Sequence, residues 1–313
     1  MHKSVSVGIL GASGLLGNTL PEHFHSLGNV SFHLFQHRSP LDHFSQDCVI
    51  HTDLSVFLRS IDSLISFIPI WSLVNILQSS KSHNITFKRV VAVSSTSALT
   101  KINSTDAWER EYAVRFIDSE TYLSNLCSEF KCSLSIIRPT MIWGSGQDLN
   151  ISFIQRFTST FGFFILPSRG NGLRWPIHHS DLLHLVFDLL FLDFDTISIA
   201  RGREQLSYYE LVVRVFSWQG LHPVIFVLPP GLLPIVAFIA RFITSKPYIN
   251  ISSFKRIDFT ESRILYEKNC LLSKNPFHPL QVADVFRPSC IARCLNLILR
   301  SIFSLPSKPF SSK

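Results

Sequence analysis

Short, nearly unbroken apolar runs recur through the first half of the chain, at 4–10 (SVSVGIL), 30–35 (VSFHLF), 62–68 (DSLISFI), 89–95 (RVVAVSS) and 133–138 (SLSIIR). Each is rich in Val, Ile, Leu or Phe and bounded by polar or turn residues, the pattern of a strand buried on both faces. Segments that can form helices fill the intervals at 14–27, 71–82 and 106–130. Strand alternating with helix predicts an α/β fold: a doubly wound parallel sheet, covered on both faces and joined by right-handed connections. After residue 140 the alternation loosens. Helices are predicted over 149–161, 180–192 and 207–218, and Pro and Gly interrupt the remainder. The chain is therefore expected to divide into a sheet domain over 1–140, a smaller region over 141–303 interleaved with the sheet, and a frayed tail over 304–313.

Composition narrows the class. The 313 residues are 46% hydrophobic and 16% charged, which excludes a disordered protein and suffices for a sizeable core. A formal charge of +7 suits an anionic ligand or an acidic membrane surface. No block of Lys and Arg accompanies it, so nucleic acid is not an expected partner. Six cysteines form no CxxC pair, and an apparent strand begins within four residues of the amino terminus, leaving no room for a targeting segment. Together these predict a cytoplasmic protein with reduced thiols. The thirteen histidines include no HExxH, and no metal site is expected. One stretch, VIFVLPPGLLPIVAFIA (224–240), is strongly apolar, but it is short of a span and broken by Pro229, Pro230 and Pro234. Burial in a core and peripheral membrane contact both remain open for it.

The first apolar run leads into GASGLLG, with glycines at 11, 14 and 17. A glycine run that follows a strand and opens a helix is the arrangement that cradles a dinucleotide. Gly11 permits the sharp turn, Gly14 lets the backbone approach a pyrophosphate, and Gly17 lets helix and strand pack closely. The N–H groups of Ser13, Gly14, Leu15 and Leu16 then face negative charge. After the second strand the sequence reads HLFQHRSP, with no acid before Asp42 to accept from a ribose hydroxyl. Arg38, with Ser39 beside it, can pair instead with a 2′-phosphate, which favours NADP over NAD.

In this order and spacing, the glycine run, TDL (52–54), VVAVSSTSAL (90–99), IIRPTMIWG (136–144), LRWPIHHSDLLHLV (173–186) and NPFHP (275–279) resemble the extended short-chain dehydrogenase/reductase superfamily, in its NAD-dependent epimerase/dehydratase branch. The resemblance runs over most of residues 4–290. It implies a Rossmann-type fold, with a dinucleotide domain over 1–140 and a substrate-binding region beyond. It further implies that Asp53 and Leu54 lie against the adenine, and Pro139 and Thr140 near the nicotinamide. Thr96 matches the family's catalytic Ser/Thr, and Arg174 an arginine that grips the diphosphate of a sugar nucleotide. Asp181, in IHHSD, is expected to cap the following helix. Members of the superfamily often pair through two long helices, here 71–82 and 106–130, so a monomer or a homodimer is expected.

The catalytic pair of this superfamily is Y-x-x-x-K, in which the lysine and the cofactor's positive ring lower a tyrosine pKa from about 10 toward neutrality. Aligned on Glu120, Tyr112 takes the tyrosine position and Phe116 stands where lysine belongs. Arg115 lies about 100° round the helix and does not shed its proton. Lys101, in the loop after Thr96, is the cation that could reach Tyr112 from another direction. Met141 replaces an asparagine common in sugar-nucleotide members. Two readings follow. One is an NADP-dependent oxidoreductase or epimerase acting on a sugar nucleotide or similar polar carbonyl or hydroxyl compound, with surface polysaccharide synthesis as its expected setting. The other is a catalytically impaired dinucleotide-binding module.

Overall fold

Each of the five apolar runs becomes a strand of one parallel sheet. The structure is a computed structural model, and its described residues are 5–20, 30–37, 39–41, 44, 48–81, 85, 87–144, 146–148, 150–166, 168–192, 194–228, 257, 269–274, 277 and 287–303. The strands are β1 (Val5–Leu10), β2 (Val30–Phe35), β3 (Cys48–His51), β4 (Ser63–Ser66), β5 (Arg89–Val93), β6 (Ser133–Pro139), β7 (Thr196–Arg201) and β8 (Cys270–Leu272). They lie in the order β8-β7-β6-β5-β4-β1-β2-β3, every pairing parallel. Among the described residues the helices are α1 (Leu54–Arg59), α2 (Ile70–Ser80), α3 (Ser97–Thr100), α4 (Ala107–Phe130), α5 (Ile151–Phe161), α6 (His179–Asp188), α7 (Tyr208–Trp218) and α8 (Cys290–Phe303).

Side chains alternate across a strand, so adjacent residues of a central strand serve opposite faces. Ile9, Ile65, Val91 and Ile137 pack on one face with Leu182, Leu183 and Val186 of α6. Their neighbours Leu10, Leu64, Val90 and Ile136 pack on the other, with Leu73 and Leu77 of α2 and Leu123 and Leu126 of α4. This is why the central runs carry no polar alternation. Both faces are dry, and each such Leu, Ile or Val contributes about 1.5–3 kcal/mol of transfer free energy.

Helix ends follow local chemistry. The Asp53 carboxylate accepts from the Ser55 and Val56 N–H groups (2.8 and 3.0 Å) and starts α1. Asp106 accepts from Glu109 N–H (3.0 Å) and starts α4, which closes on Lys131 in the left-handed region at φ 55°. The helix expected over 14–27 begins differently. Gly17–Thr19 forms a single 3-10 turn, in which Leu20 N–H donates to the Gly17 carbonyl and Thr19 N–H to that of Leu16. Residues 21–27 of that expected helix lie outside the described residues, as do the tail 304–313 and most of 224–240.

The chain separates into two compact units. The first comprises 1–145, 175–204 and 262–277 and holds the eight-stranded sheet; the second comprises 146–174, 205–261 and 278–313. The second unit pairs strand Phe164–Leu166 with Ile225–Val227 in parallel, and Leu173–Arg174 with Leu206–Ser207 antiparallel. The opening of the 224–240 stretch is thus a short strand. Helices α5 and α7 are joined by a buried polar chain: Thr158 Oγ1 donates to Gln219 Oε1 (2.5 Å), whose Nε2 donates to the Gln155 carbonyl (2.7 Å). Among the described residues no helix is long and apolar enough to cross a membrane. All six cysteines are thiols.

Asp62 ties β1 to the turn that leads into β4. Its carboxylate accepts from Ser6 N–H (3.1 Å) and Ser6 Oγ (2.7 Å) and pairs with Lys88 Nζ at 3.2 Å. These bonds, the Ser6 hydroxyl foremost, hold its pKa well below 3.8, at about 2. A depressed carboxyl pKa stabilises the fold above the unfolded value, and that stability is lost as pH falls through the folded one. Asp62→Ala is expected to cost about 1 kcal/mol at neutral pH, allowing for partial solvent screening. It should also flatten the fall in urea-unfolding stability as pH drops from 3.8 toward about 2.

Candidate functional site

In a sheet of this order, the connections from β1 and β4 leave toward opposite faces, and a crevice opens at the carboxyl ends of these neighbouring strands. The glycine turn occupies that point. Gly11 ends β1 with φ +87°, a conformation that side chains disfavour, and a Cβ there would lie 3.1 Å from Ile68 after β4. Gly14 N–H donates back to the Gly11 carbonyl at 3.0 Å. A Cβ on Gly14 would approach only that carbonyl, at 3.2 Å, and Ser13 and Gly14 are exposed. A Cβ on Gly17 would stand 2.2 Å from the Ala12 carbonyl oxygen. Three glycines thus meet three different constraints: conformation at Gly11, one tight backbone oxygen in an exposed turn at Gly14, and close packing at Gly17. The open turn fits an approaching phosphate.

Further along the same edge, Asp53 and Leu54 follow β3. Asp53 is exposed, with one carboxylate oxygen engaged in capping α1. Arg38, on which the preference for NADP rests, lies outside the described residues. After β5, Thr96 is buried; its N–H and Oγ1 both donate to the Pro139 carbonyl at the end of β6, at 3.2 and 3.0 Å. Thr140 is buried beside it, its N–H donating to the Ala200 carbonyl (2.9 Å) and its hydroxyl to that of Trp175. Thr96, Pro139 and Thr140 are therefore brought together.

Tyr112 stands on α4 in an aromatic cluster. Its ring stacks on Trp108 (centroids 5.2 Å, 10°) and meets Trp71 and Phe116 edge-on at 5.7 and 5.1 Å. Lys101 Nζ lies over the ring, 5.5 Å from its centroid, whereas the Arg115 guanidinium sits on Trp71 at 4.2 Å. Burial raises the Tyr112 pKa above that of an ordinary phenol, and the Arg115 charge opposes this. Phe116, at the lysine position, is itself buried. The sequence reading named Lys101 but missed Trp71 and Trp108. The spacing of Trp108, Tyr112 and Phe116, one helical turn apart, was the available signal.

Glu120 anchors the same helix. Its carboxylate accepts from Ser94 Oγ after β5, and from Arg138 on β6 through Nε (3.0 and 3.2 Å) and Nη2. The expectation for Asp181 is corrected. His178 caps α6, its Nδ1 accepting from Ser180 N–H at 3.3 Å, while Asp181 accepts from Ser273 Oγ after β8. The imidazole reaches the first helical N–H groups from the capping position itself. Asp181 lies three residues further on and holds the sheet edge instead.

In the second unit, Arg174 is buried on its two-residue strand, Nη1 donating to the Leu173 carbonyl (2.8 Å). It neighbours Tyr208, whose pKa burial pushes up to about 12 while the arginine pulls it down. Among the described residues, no three His, Cys, Asp or Glu side chains are grouped to hold a metal ion.

The sequence matches no established family profile and no curated relative. The fold is that of solved sugar-nucleotide epimerases and a dehydratase. The chain is similar to UDP-glucuronic acid 4-epimerase from Bacillus cereus in complex with NAD, at 15% identity and TM-score 0.58, over 83% of this chain and 96% of that one. It is likewise similar to UDP-N-acetylglucosamine 4-epimerase from Bacillus cereus (15%, 0.57, 72% and 85%). A third is dTDP-glucose 4,6-dehydratase from Bacillus anthracis in complex with NAD (10%, 0.54, 72% and 84%).

The turn makes a separable prediction. Gly17→Ala must move the Ala12 backbone and is expected to cost about 1–3 kcal/mol in denaturant unfolding. Gly14→Ala, which asks only the exposed turn's Gly11 carbonyl to give by a few tenths of an ångström, should cost less than Gly17→Ala, about 1 kcal/mol or below.

Proposed function

We propose that the chain binds a nicotinamide dinucleotide, NADP in preference to NAD, along the carboxyl edge of β1 to β6. With it the chain acts as an oxidoreductase or epimerase on an anionic, nucleotide-linked sugar or a similar polar carbonyl or hydroxyl compound. A role in surface polysaccharide synthesis is the corresponding biological setting. The observation that carries this reading is the glycine turn that ends β1 beside β4, with Ser13 and Gly14 exposed on it.

Gly11, Ser13, Gly14, Leu15, Leu16 and Gly17 would receive the diphosphate, Asp53 and Leu54 the adenosine, Arg38 the 2′-phosphate, and Pro139 and Thr140 the nicotinamide. When bound, the dinucleotide supplies the hydride donor or acceptor. Thr96 donates its own proton to Pro139, so its oxygen lone pairs are left to accept from a substrate hydroxyl. Arg174 would hold the substrate's negative charge as a charge-assisted donor. Tyr112 would exchange the hydroxyl proton, with Lys101 over its ring as the nearby cation. Its raised pKa leaves it protonated at neutral pH, so its action as a base strengthens as pH rises.

That same aromatic packing favours a second reading, dinucleotide binding without turnover. Phe116 fills the place of the activating cation, and burial opposes the phenolate.

Calorimetry and thermal unfolding with NADPH and NADH test the shared part. NADPH is expected to stabilise the protein by about 2.7 kcal/mol at a hundredfold excess over Kd. Gly14→Val should fold and lose that stabilisation, and Arg38→Ala should lose the preference for NADPH. If neither nucleotide binds, both readings fall. Turnover on a panel of nucleotide-linked sugars separates them. The enzyme reading expects activity that climbs toward alkaline pH and drops by about 100-fold or more in Tyr112→Phe. The binding module shows none in either protein.

A further inference from the structure

Helix α8 is mounted with its apolar side outward. The residues it buries most deeply against its own unit are small or polar, with Leu299 half-buried beside them. Ala292 and Asn296 are fully buried, and Gly162, at the end of α5, approaches so closely that a Cβ there would lie 2.3 Å from the Ala292 carbonyl oxygen. Asn296 fastens the helix by donating to the Gly162 and His222 carbonyls (2.6 and 2.8 Å) and accepting from His222 N–H (3.0 Å). Ser289 caps it, Oγ accepting from Ala292 N–H at 3.0 Å. Outward stand Ile291, Leu297, Ile298 and Ile302, exposed by 70, 59, 52 and 65%, with Leu295 beside them. At 100° per residue, Ile291, Leu295, Ile298 and Ile302 form one stripe, and Arg293 and Arg300 fall on the opposite side. A helix that packed by burying its hydrophobic stripe would present the reverse arrangement.

Charge identifies the occupant. The unit that carries α8 holds thirteen Lys and Arg against five Asp and Glu, a formal +8, while the unit with the sheet holds sixteen against seventeen. The whole cation excess of the chain therefore lies on one unit. No acid follows Asp284, whereas Arg287, Arg293, Arg300, Lys308 and Lys313 do. Two copies meeting through α8 would bring together two units of like charge, which opposes self-association. An anionic bilayer surface offers apolar depth to the stripe and negative potential to the cations. The same unit also exposes Phe153 and Phe161 of α5, the latter next to Gly162 where α8 packs.

We infer that α8 is an interfacial anchor, lying in the surface of an anionic lipid bilayer with Ile291, Leu295, Ile298 and Ile302 immersed. This inference is independent of the proposed dinucleotide chemistry, since none of its residues belongs to that crevice.

The test is co-sedimentation of the full chain with phosphatidylcholine vesicles, with and without about one-third phosphatidylserine. Binding to the anionic vesicles is expected, at least about tenfold tighter than to the neutral ones and weakened by salt. The variant Ile291→Ser/Ile298→Ser/Ile302→Ser should lose about tenfold or more of that binding, because the apolar insertion is removed while every cation is kept. These side chains are exposed, so circular dichroism and melting temperature should match the parent. Absence of binding to anionic vesicles overturns the inference, as does equal binding by the triple variant. So does a concentration-dependent dimer that the triple variant abolishes without any vesicle binding, which would assign the stripe to a second copy.

Discussion

The carboxylate of Glu120 sets where helix α4 stands against the sheet. Buried on α4, it receives Ser94 from the end of β5 and the fork of Arg138 from β6. A buried carboxylate persists only when its charge is paired and its lone pairs are used, and here both conditions are met by groups on two adjacent strands. The helix is thereby fixed in rotation and height against the sheet. Tyr112 is eight residues upstream, about 12 Å along the axis, and its place relative to Thr96 and Pro139 follows from that anchor. Loss of one partner would leave the other as an uncompensated buried charge, so the pairing constrains the helix more than its modest net contribution to stability implies.

With the helix held there, the two halves of the proposed function rest on different kinds of feature. The dinucleotide site proposed at the glycine turn rests on backbone: the left-handed Gly11, the exposed Gly14, and the contact of Gly17 with Ala12. Those features are insensitive to what happens on α4. The proposed proton transfer, by contrast, would draw on side chains, and there Phe116 packs edge-on against Trp71 in a hydrophobic cluster. A cation is present, but over the ring of Tyr112 and not on the next turn of its own helix. Stacking of the phenol between aromatic neighbours stabilises its neutral form, the opposite of what a base at neutral pH requires.

The sequence discloses the centre of this fold better than its edges. Strands β1, β4, β5 and β6 are dry on both sides, so their residues must be apolar without alternation, and each stood out as a run. Strands β3, β7 and β8 were not predicted. They are four, six and three residues long and expose Val49, Ile197 and Leu272, and their identity as strands comes from pairing with distant neighbours. The roles of Gly11 and Gly17 could be read from spacing because backbone conformation and close approach are local. The cap of α6 could not be. His178 and Asp181 both suit that position by type, and only the packing of β8, which brings Ser273 to the aspartate, decides between them.

Charge tells a similar story at two length scales. A net +7 read from composition is compatible with an anionic metabolite and with an anionic surface, and nothing in the total separates them. Its distribution does. Arg174 is buried, so water screens it weakly, and one guanidinium there suffices to orient a single anionic group through directed hydrogen bonds. The net excess of eight positive charges on the second unit is a matter of sequence distribution and belongs to a different regime, because solvent and salt screen an exposed charge within about 8 Å. Such charges add to a contact when many of them face an extended field of opposite sign, which a small metabolite does not provide and a bilayer does. The proposed substrate contact would therefore rest on a single desolvated arginine, and the proposed bilayer contact on a dispersed set of cations in the same unit.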